Sequence, residues 1–537
     1  MRVTSSPVLA GGAQEVARPW WRSLRRWLLG ALAAQYTVYQ LLTGVQYFDG
    51  PRNMQWGMYL VENPGFAVGA PNAYDRINGF PPTPRSLAPV GRYTTDGGPI
   101  SPWWGPAYLL VYGVVWRLTG SYVALHLVVP LAAAGAVLVT YAFGVRLVGR
   151  DVGLLAAALL ALFPNFRDTA TVALVEPISA LLITGALWAF LERRSAVAAL
   201  LASLAMLGKI DMIAIYLGTA VCTAALARGA RQLRGMRHLA IAVGIPLLVG
   251  LGWAGLIYGY FGRPTTLSGR PSLEMFALLM PMMLDQLFMM RFQSTLPVVA
   301  VMLGAAALAL RRGWSAHPAV YTLLAVWVAL GMLTSCVFAA MPDVSNNPRI
   351  FIPALPALFV LVADGLLRLR PTWRAAAAGL LIVFFLVVNG AGVLYQMVQA
   401  RAVSATMPVW QVLRDEPRGF VLTEHYWLAA LYARQPATWF EGDPVFERNI
   451  MDDLANFRRY LGEHPIRYVV LPREDDGMQR LRADSLARLY ERLPIGRDLG
   501  WRTSPTASAE VRAYLEATFP RREVGEYVIY FVREGER

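Results

Sequence analysis

The sequence predicts a polytopic α-helical membrane protein of about eleven spans, with a small α/β domain after the last span. Three observations carry that expectation. Of the 537 residues, 56% are hydrophobic and the mean hydropathy is +0.42, where a soluble chain holds about 45–50% apolar residues. The excess is concentrated in long runs between residues 24 and 397. Arginines sit in short clusters at the ends of those runs, the bias of cytoplasmic loops.

Residues 1–23 are polar and proline-interrupted, so they read as a cytoplasmic tail rather than a cleavable signal. The membrane module then runs from 24 to 397, and its first span, 27–47, doubles as the signal. Residues 48–102, rich in Pro, Gly, Asn and Asp, cannot cross a bilayer and form a first extracytoplasmic loop with juxtamembrane helices. The amphipathic stretch 103–117 is too short for a span and reads as a helix lying at the interface. Further spans fall near 121–145, 152–170, 177–192, 195–208, 212–227, 239–260, 297–310, 319–340, 350–367 and 373–395. Alternating sides from a cytoplasmic N-terminus puts every arginine cluster on one face, namely those at 22–26, 146–150, 193–194, 228–237, 311–312 and 368–374. A span at 103–117 would throw all but the first outside. The odd count exports residues 398–537. Strand candidates there are 419–423, 438–440, 467–471 and 527–532, and helix candidates are 449–461 and 479–491, the pattern of a small α/β layer domain. It holds no GxGxxG, P-loop or nucleophile elbow.

The net charge of +14 does not point to nucleic acid, because the basic residues flank apolar runs instead of forming a stripe on a soluble face. Cys222 and Cys336 both lie in apolar runs, which excludes a disulfide framework or a zinc cluster in the soluble regions. The histidines at 126, 238, 317, 425 and 464 show no ligand spacing.

Ionisable residues at membrane depth are costly and mark function. Asp49, in Tyr47-Phe48-Asp49-Gly50-Pro51, reads either as a general base at the membrane surface or as the entry residue of a helix that Pro51 opens. Glu176, before Pro177, reads as a second carboxylate of the same site or as a helix-dipole partner. Lys209 is the only lysine in the chain. Beside Asp211, it reads as a compact cation wanted for chemistry or as half of an ion pair between two helices. Arg349, entering a span through Asn346-Asn347-Pro348-Arg349, suits a phosphate clamp or an interfacial snorkelling role. Arg52 and Asp96 are further candidates in the first loop.

Four segments resemble, in order, those of the GT-C fold glycosyltransferases that use polyprenyl-phosphate sugars. The nearest likeness is to the protein O-mannosyltransferase and aminoarabinose transferase group. The segments are Tyr47-Phe48-Asp49-Gly50 with its following helix, the third-span run from Arg146 to Pro164, Val175-Glu176-Pro177, and Pro348-Arg349 with Pro353 and Pro356. The resemblance covers roughly residues 25–395 and implies a GT-C-like module that performs inverting transfer in the cell membrane. Asp49 and Glu176 would be catalytic, with Asp49 deprotonating an acceptor hydroxyl or amine. Arg349 and Lys209 would meet the charge of the departing lipid phosphate. The implied partners are a polyprenyl-phosphate-linked sugar, a lipid, glycan or protein acceptor, and the bilayer. A divalent cation, magnesium or manganese, is a candidate cofactor, but Gly50 stands where many relatives carry a second acid. Competing readings are a transporter or flippase of lipid-linked sugar and a polysaccharide polymerase or ligase. No repeated halves mark a transporter, and the candidate charges lie at the outer surface.

Overall fold

The computed structural model describes residues 19–43, 49–62, 106–209, 212–226, 235–261, 296–339, 348–425, 428–435, 437–438, 450–463, 466–473 and 507–532. Asp96, Asp211 and the helix candidate at 479–491 lie outside the described residues. Asp49 and Arg52 are placed by their backbone alone.

Each of the eleven expected segments is mainly helical over its described residues. The helices are α1 Pro19–Thr43, α2 Asp49–Glu62, α3 Pro106–Thr119, α4 Tyr122–Leu147, α5 Arg150–Leu162, α6 Pro164–Thr171, α7 Glu176–Leu191, α8 Ser195–Gly208 and α9 Met212–Leu226. There follow α10 Met236–Leu239, which passes through a π turn into α11 Ile245–Phe261, then α12 Leu296–Gly313, α13 Pro318–Ala339, α14 Leu355–Leu367 and α15 Pro371–Asp415. Among the described residues five helices are long and apolar enough to cross a membrane alone, or six if the bent pair α5–α6 counts as one span. The shorter α7, α8 and α9 are apolar too. At about 1.5 Å per residue they fall short of a hydrocarbon core of about 30 Å. They sit against neighbours instead, and α8 does so on the small residues Ala198, Ala202 and Ala205, all buried. Lipid offers no hydrophobic drive between helices, so such close packing holds them together. The chain is an integral membrane protein.

The third span departs from the straight helix expected over 152–170. It bends by 59° between α5 and α6, because Pro164 holds Phe163 in an extended conformation at φ −68° and ψ 121°. The carbonyls freed at the break find side-chain donors on other helices. Ala161 O accepts from Tyr36 Oη at 2.9 Å and Gln35 Nε2 at 3.0 Å, while Leu162 O accepts from Asn389 Nδ2 at 2.5 Å. Phe163 closes the elbow edge-on against Phe359 and Phe385.

The last helix, α15, has 45 residues and is about 68 Å long. The expected module boundary at 397/398 therefore falls inside it. It leads into a five-stranded sheet made of β1 Phe420–Thr423, β2 Ala437–Thr438, β3 Ile466–Pro472, β4 Arg521–Val524 and β5 Tyr527–Phe531, in the order β2-β1-β3-β5-β4. β1, β2 and β3 run parallel, while β5 pairs antiparallel with both β3 and β4. Alternate residues of β3 face opposite ways. Val469 and Leu471 pack with α16, Leu454–Glu463, and α17, Ala509–Thr518. Tyr468 and Val470 pack with Trp410 and Leu413 at the end of α15.

Candidate active site

Three element ends converge at one end of the bundle. Helix α6 stops in a turn where Ala173 takes φ +57° and Leu174 N–H donates back to Thr169 O at 2.9 Å. The left-handed conformation costs a residue with a Cβ about 1–2 kcal/mol. The turn lets α7 begin at once, with Glu176 in its first turn and Pro177 in a position where no N–H is needed. Lys209 is the capping residue at the C-terminus of α8. Arg349 lies in the 3₁₀ turn Pro348–Ala354 that leads into α14. Acid at a helix N-terminus and cation at a helix C-terminus each agree with the helix dipole.

The three charges meet on one oxygen. Glu176 Oε1 accepts from Lys209 Nζ at 3.1 Å and lies 3.5 Å from Arg349 Nε. Glu176 is fully buried, and the Lys209 side chain is 10% exposed. The Arg349 side chain, at 22%, is the most open of the three. Oε2 of Glu176 has no hydrogen-bond partner among the described residues. Among these three side chains, one carboxylate stands between two cations.

Asp49 opens α2, and the residue after it fixes where that helix starts. A Cβ on Gly50 would lie 2.5 Å from Val172 O and 3.1 Å from the Ala173 Cβ. The backbone beside Asp49 therefore touches the turn that launches Glu176, and only glycine permits the approach. Farther along, α2 crosses α3 backbone to backbone, since a Cβ on Gly113 would meet Gly57 O at 2.6 Å. Helix α3 is tied in turn to α7 by Tyr108 Oη to Ser179 Oγ at 2.8 Å, and to the turn by Tyr112 Oη to Ala173 O at 3.4 Å.

The structure thus brings Glu176, Lys209 and Arg349 into contact and sets the start of α2 against the same turn. The expected alternative of a Lys209–Asp211 pair reaches a residue outside the described ones, and the partner seen for Lys209 is Glu176. No group of three or more His, Cys, Asp or Glu is placed to hold a metal among the described residues, and two cations crowd the one carboxylate.

Sequence reasoning missed Arg167 and Asp168. They pair with each other in α6, and Arg167 Nη1 donates to Asn389 O at 2.8 Å. Gln396 Nε2 donates to Thr171 Oγ1 at 2.6 Å, so α15 is strapped to α6 along its length. The signal was present: two opposite charges stand inside the expected span 152–170, where charges are rare.

No protein-family model matches the chain, and no curated protein matches it in sequence. Solved structures do match. The crystal structure of ArnT from Cupriavidus metallidurans bound to undecaprenyl phosphate superposes with a TM-score of 0.59 at 12% identity, over 96% of this chain and 98% of that one. The apo form of the same protein gives 0.57 at 14% identity, over 95% and 97%. The chain has the GT-C fold. The match extends end to end, so it takes in the sheet domain as well as the helices, which the sequence resemblance did not reach.

Proposed function

We propose that the chain is an inverting glycosyltransferase that moves a sugar from a polyprenyl phosphate to an acceptor hydroxyl or amine at the outer membrane surface. The observation that supports this reading most is the meeting of Lys209 and Arg349 on Glu176, beside the turn that receives the Asp49 end of α2. ArnT, which shares the fold, is seen with undecaprenyl phosphate bound. The arginine-rich end of the bundle faces the cytoplasm, and the site and the sheet domain face outward.

In this reading Asp49 takes the acceptor proton as the acceptor oxygen or nitrogen attacks the anomeric carbon. The bond from that carbon to the phosphate oxygen breaks, and the electron pair leaves with the lipid phosphate. Its charge is met by Arg349 and Lys209, donors aimed at the place where charge develops. Glu176 is the brace that keeps two mutually repelling cations side by side.

The test uses the purified protein in lipid nanodiscs, with undecaprenyl phosphate as the binding probe and release of that lipid from its sugar conjugate as the activity. Arg349→Ala removes a charge-assisted hydrogen bond of about 1.5–3 kcal/mol, so the probe should bind at least tenfold more weakly. Asp49→Asn keeps size and helix-capping ability but accepts no proton, so turnover should fall by about 10²–10⁴ with probe binding unchanged. A fully active Asp49→Asn protein ends the base assignment. Failure of the wild type to bind the probe ends the whole reading.

A further inference from the structure

Between β1 and β2 the chain leaves the sheet domain, touches the membrane module and returns. The excursion is a π turn, Ala429–Ala433, closed by Arg434 at φ +52°. π turns and left-handed residues with a Cβ are uncommon, and both concentrate at sites that must hold a special geometry. The wide turn divides its side chains between two bodies. Leu428, Ala429 and Ala433 are buried in the domain's own core with Trp410 and Val421. Leu431 is buried completely in a different cluster, with Met54 and Met58 of α2, Tyr112 of α3 and Val175 beside Glu176.

Polar contacts ring this leucine. Tyr122 Oη donates to Leu431 O at 3.3 Å, and His126 Nε2 shares a hydrogen bond with Tyr432 Oη at 2.9 Å. Burial, reinforced by the neighbouring Tyr122 phenol, pushes the Tyr432 hydroxyl up, so it stays protonated. Arg434 Nη2 lies 3.3 Å from Glu62 Oε1, which also accepts from Trp116 Nε1 at 2.8 Å, and the guanidinium rests 5.4 Å from the Trp116 ring centre. Glu62 is the last residue of α2 and Asp49 the first. The helix is therefore held at its start by the turn before Glu176, in its middle by the cluster around Leu431, and at its end by Arg434.

We infer that residues 428–434 are a clasp by which the outer domain fixes α2, making Leu431 and, secondarily, Arg434 positioning residues for Asp49. The inference rests on the proposed transfer for its kinetic arm and stands without it for its structural arm. Misplacement of a reacting group by about 1 Å can cost on the order of 10²-fold in rate. Leu431→Ala should therefore lower kcat by about that factor, while undecaprenyl phosphate binding stays within about twofold. Arg434 and Glu62 form an exposed pair, so Arg434→Ala should cost at most about fivefold, and Arg434→Lys should restore most of the loss.

Amide hydrogen exchange on the full chain in nanodiscs supplies the second readout. In Leu431→Ala the amides of α2 should exchange at least tenfold faster, with those of β3 and β5 unchanged as the sign that the domain is still folded. Unchanged protection of α2 in that variant overturns the clasp. Loosened α2 with unchanged kcat overturns the positioning role. A wild type that performs no transfer, yet loosens α2 on Leu431→Ala, keeps the clasp and sinks the proposed activity instead.

Discussion

Glu176 faces two jobs that its surroundings separate. A carboxylate wedged between Lys209 and Arg349, completely buried, is committed to holding them. Removing one member of a buried ion pair typically costs about 3–5 kcal/mol, because the partner is left without its counter-charge. Glu176→Gln should therefore lower the thermal midpoint of the empty protein. It should also raise affinity for undecaprenyl phosphate. An anion entering the variant meets both cations without the Glu176 charge, and one unit charge at about 5 Å is worth about 3 kcal/mol at an effective dielectric constant of 20. Calorimetric titration of the two proteins decides the matter. Weaker binding by the variant would mean that the cations disperse without their brace. The candidate residues themselves were legible from the sequence because charges stood at the mouths of apolar runs. Their partners were not. Lys209 lies two positions from Asp211, 33 from Glu176 and 140 from Arg349, and nothing local distinguishes the near acid from the distant one.

At the level of elements, the elbow between α5 and α6 has the sharpest consequences. Its carbonyls are served unequally: Ala161 O has two side-chain donors, whereas Leu162 O has Asn389. Asn389→Leu should then destabilise the protein by about 1–3 kcal/mol, the penalty for a buried acceptor left alone. Tyr36→Phe should cost less than about 1 kcal/mol, since Gln35 still donates. Thermal unfolding in detergent of the two variants checks that order, and equal losses would mean the elbow is held by packing. Pro164 announced the break, but an apolar run on both sides disguised it as one span. A different blindness hid β4. Its Arg-Arg-Glu-Val is polar and mostly exposed, as an edge strand should be, and shows no alternation to detect. The remaining strands of the domain fall within a residue or two of the apolar runs that predicted them, because each lies against a packed face.

For the molecule as a whole, the paired contacts sort the chain into two ends. Arg25 with Asp151, Arg146 with Glu192, and Arg312 with the Arg368 carbonyl mark one. Glu176, Lys209, Arg349 and the outer domain mark the other. If, as proposed, the arginine-rich end is in the cytoplasm, a reporter enzyme fused after Arg537 should work only outside, and one inserted at Arg231 only inside. The reverse result would turn the protein over and place the site in the cytoplasm. Among the described residues the outer domain is joined to this frame twice, through the unbroken shaft of α15 and through the turn at Leu431. That double attachment makes the shaft a matter of phase. One residue inserted between Val398 and Thr406 would swing the domain by about 100° and raise it by about 1.5 Å. Seven residues would bring the angle back to within about 20°, yet lift the domain by about 10 Å. No insertion satisfies both angle and height, so Leu431 finds its socket at one shaft length alone. In this stretch the number of residues is under tighter constraint than the identity of most of them.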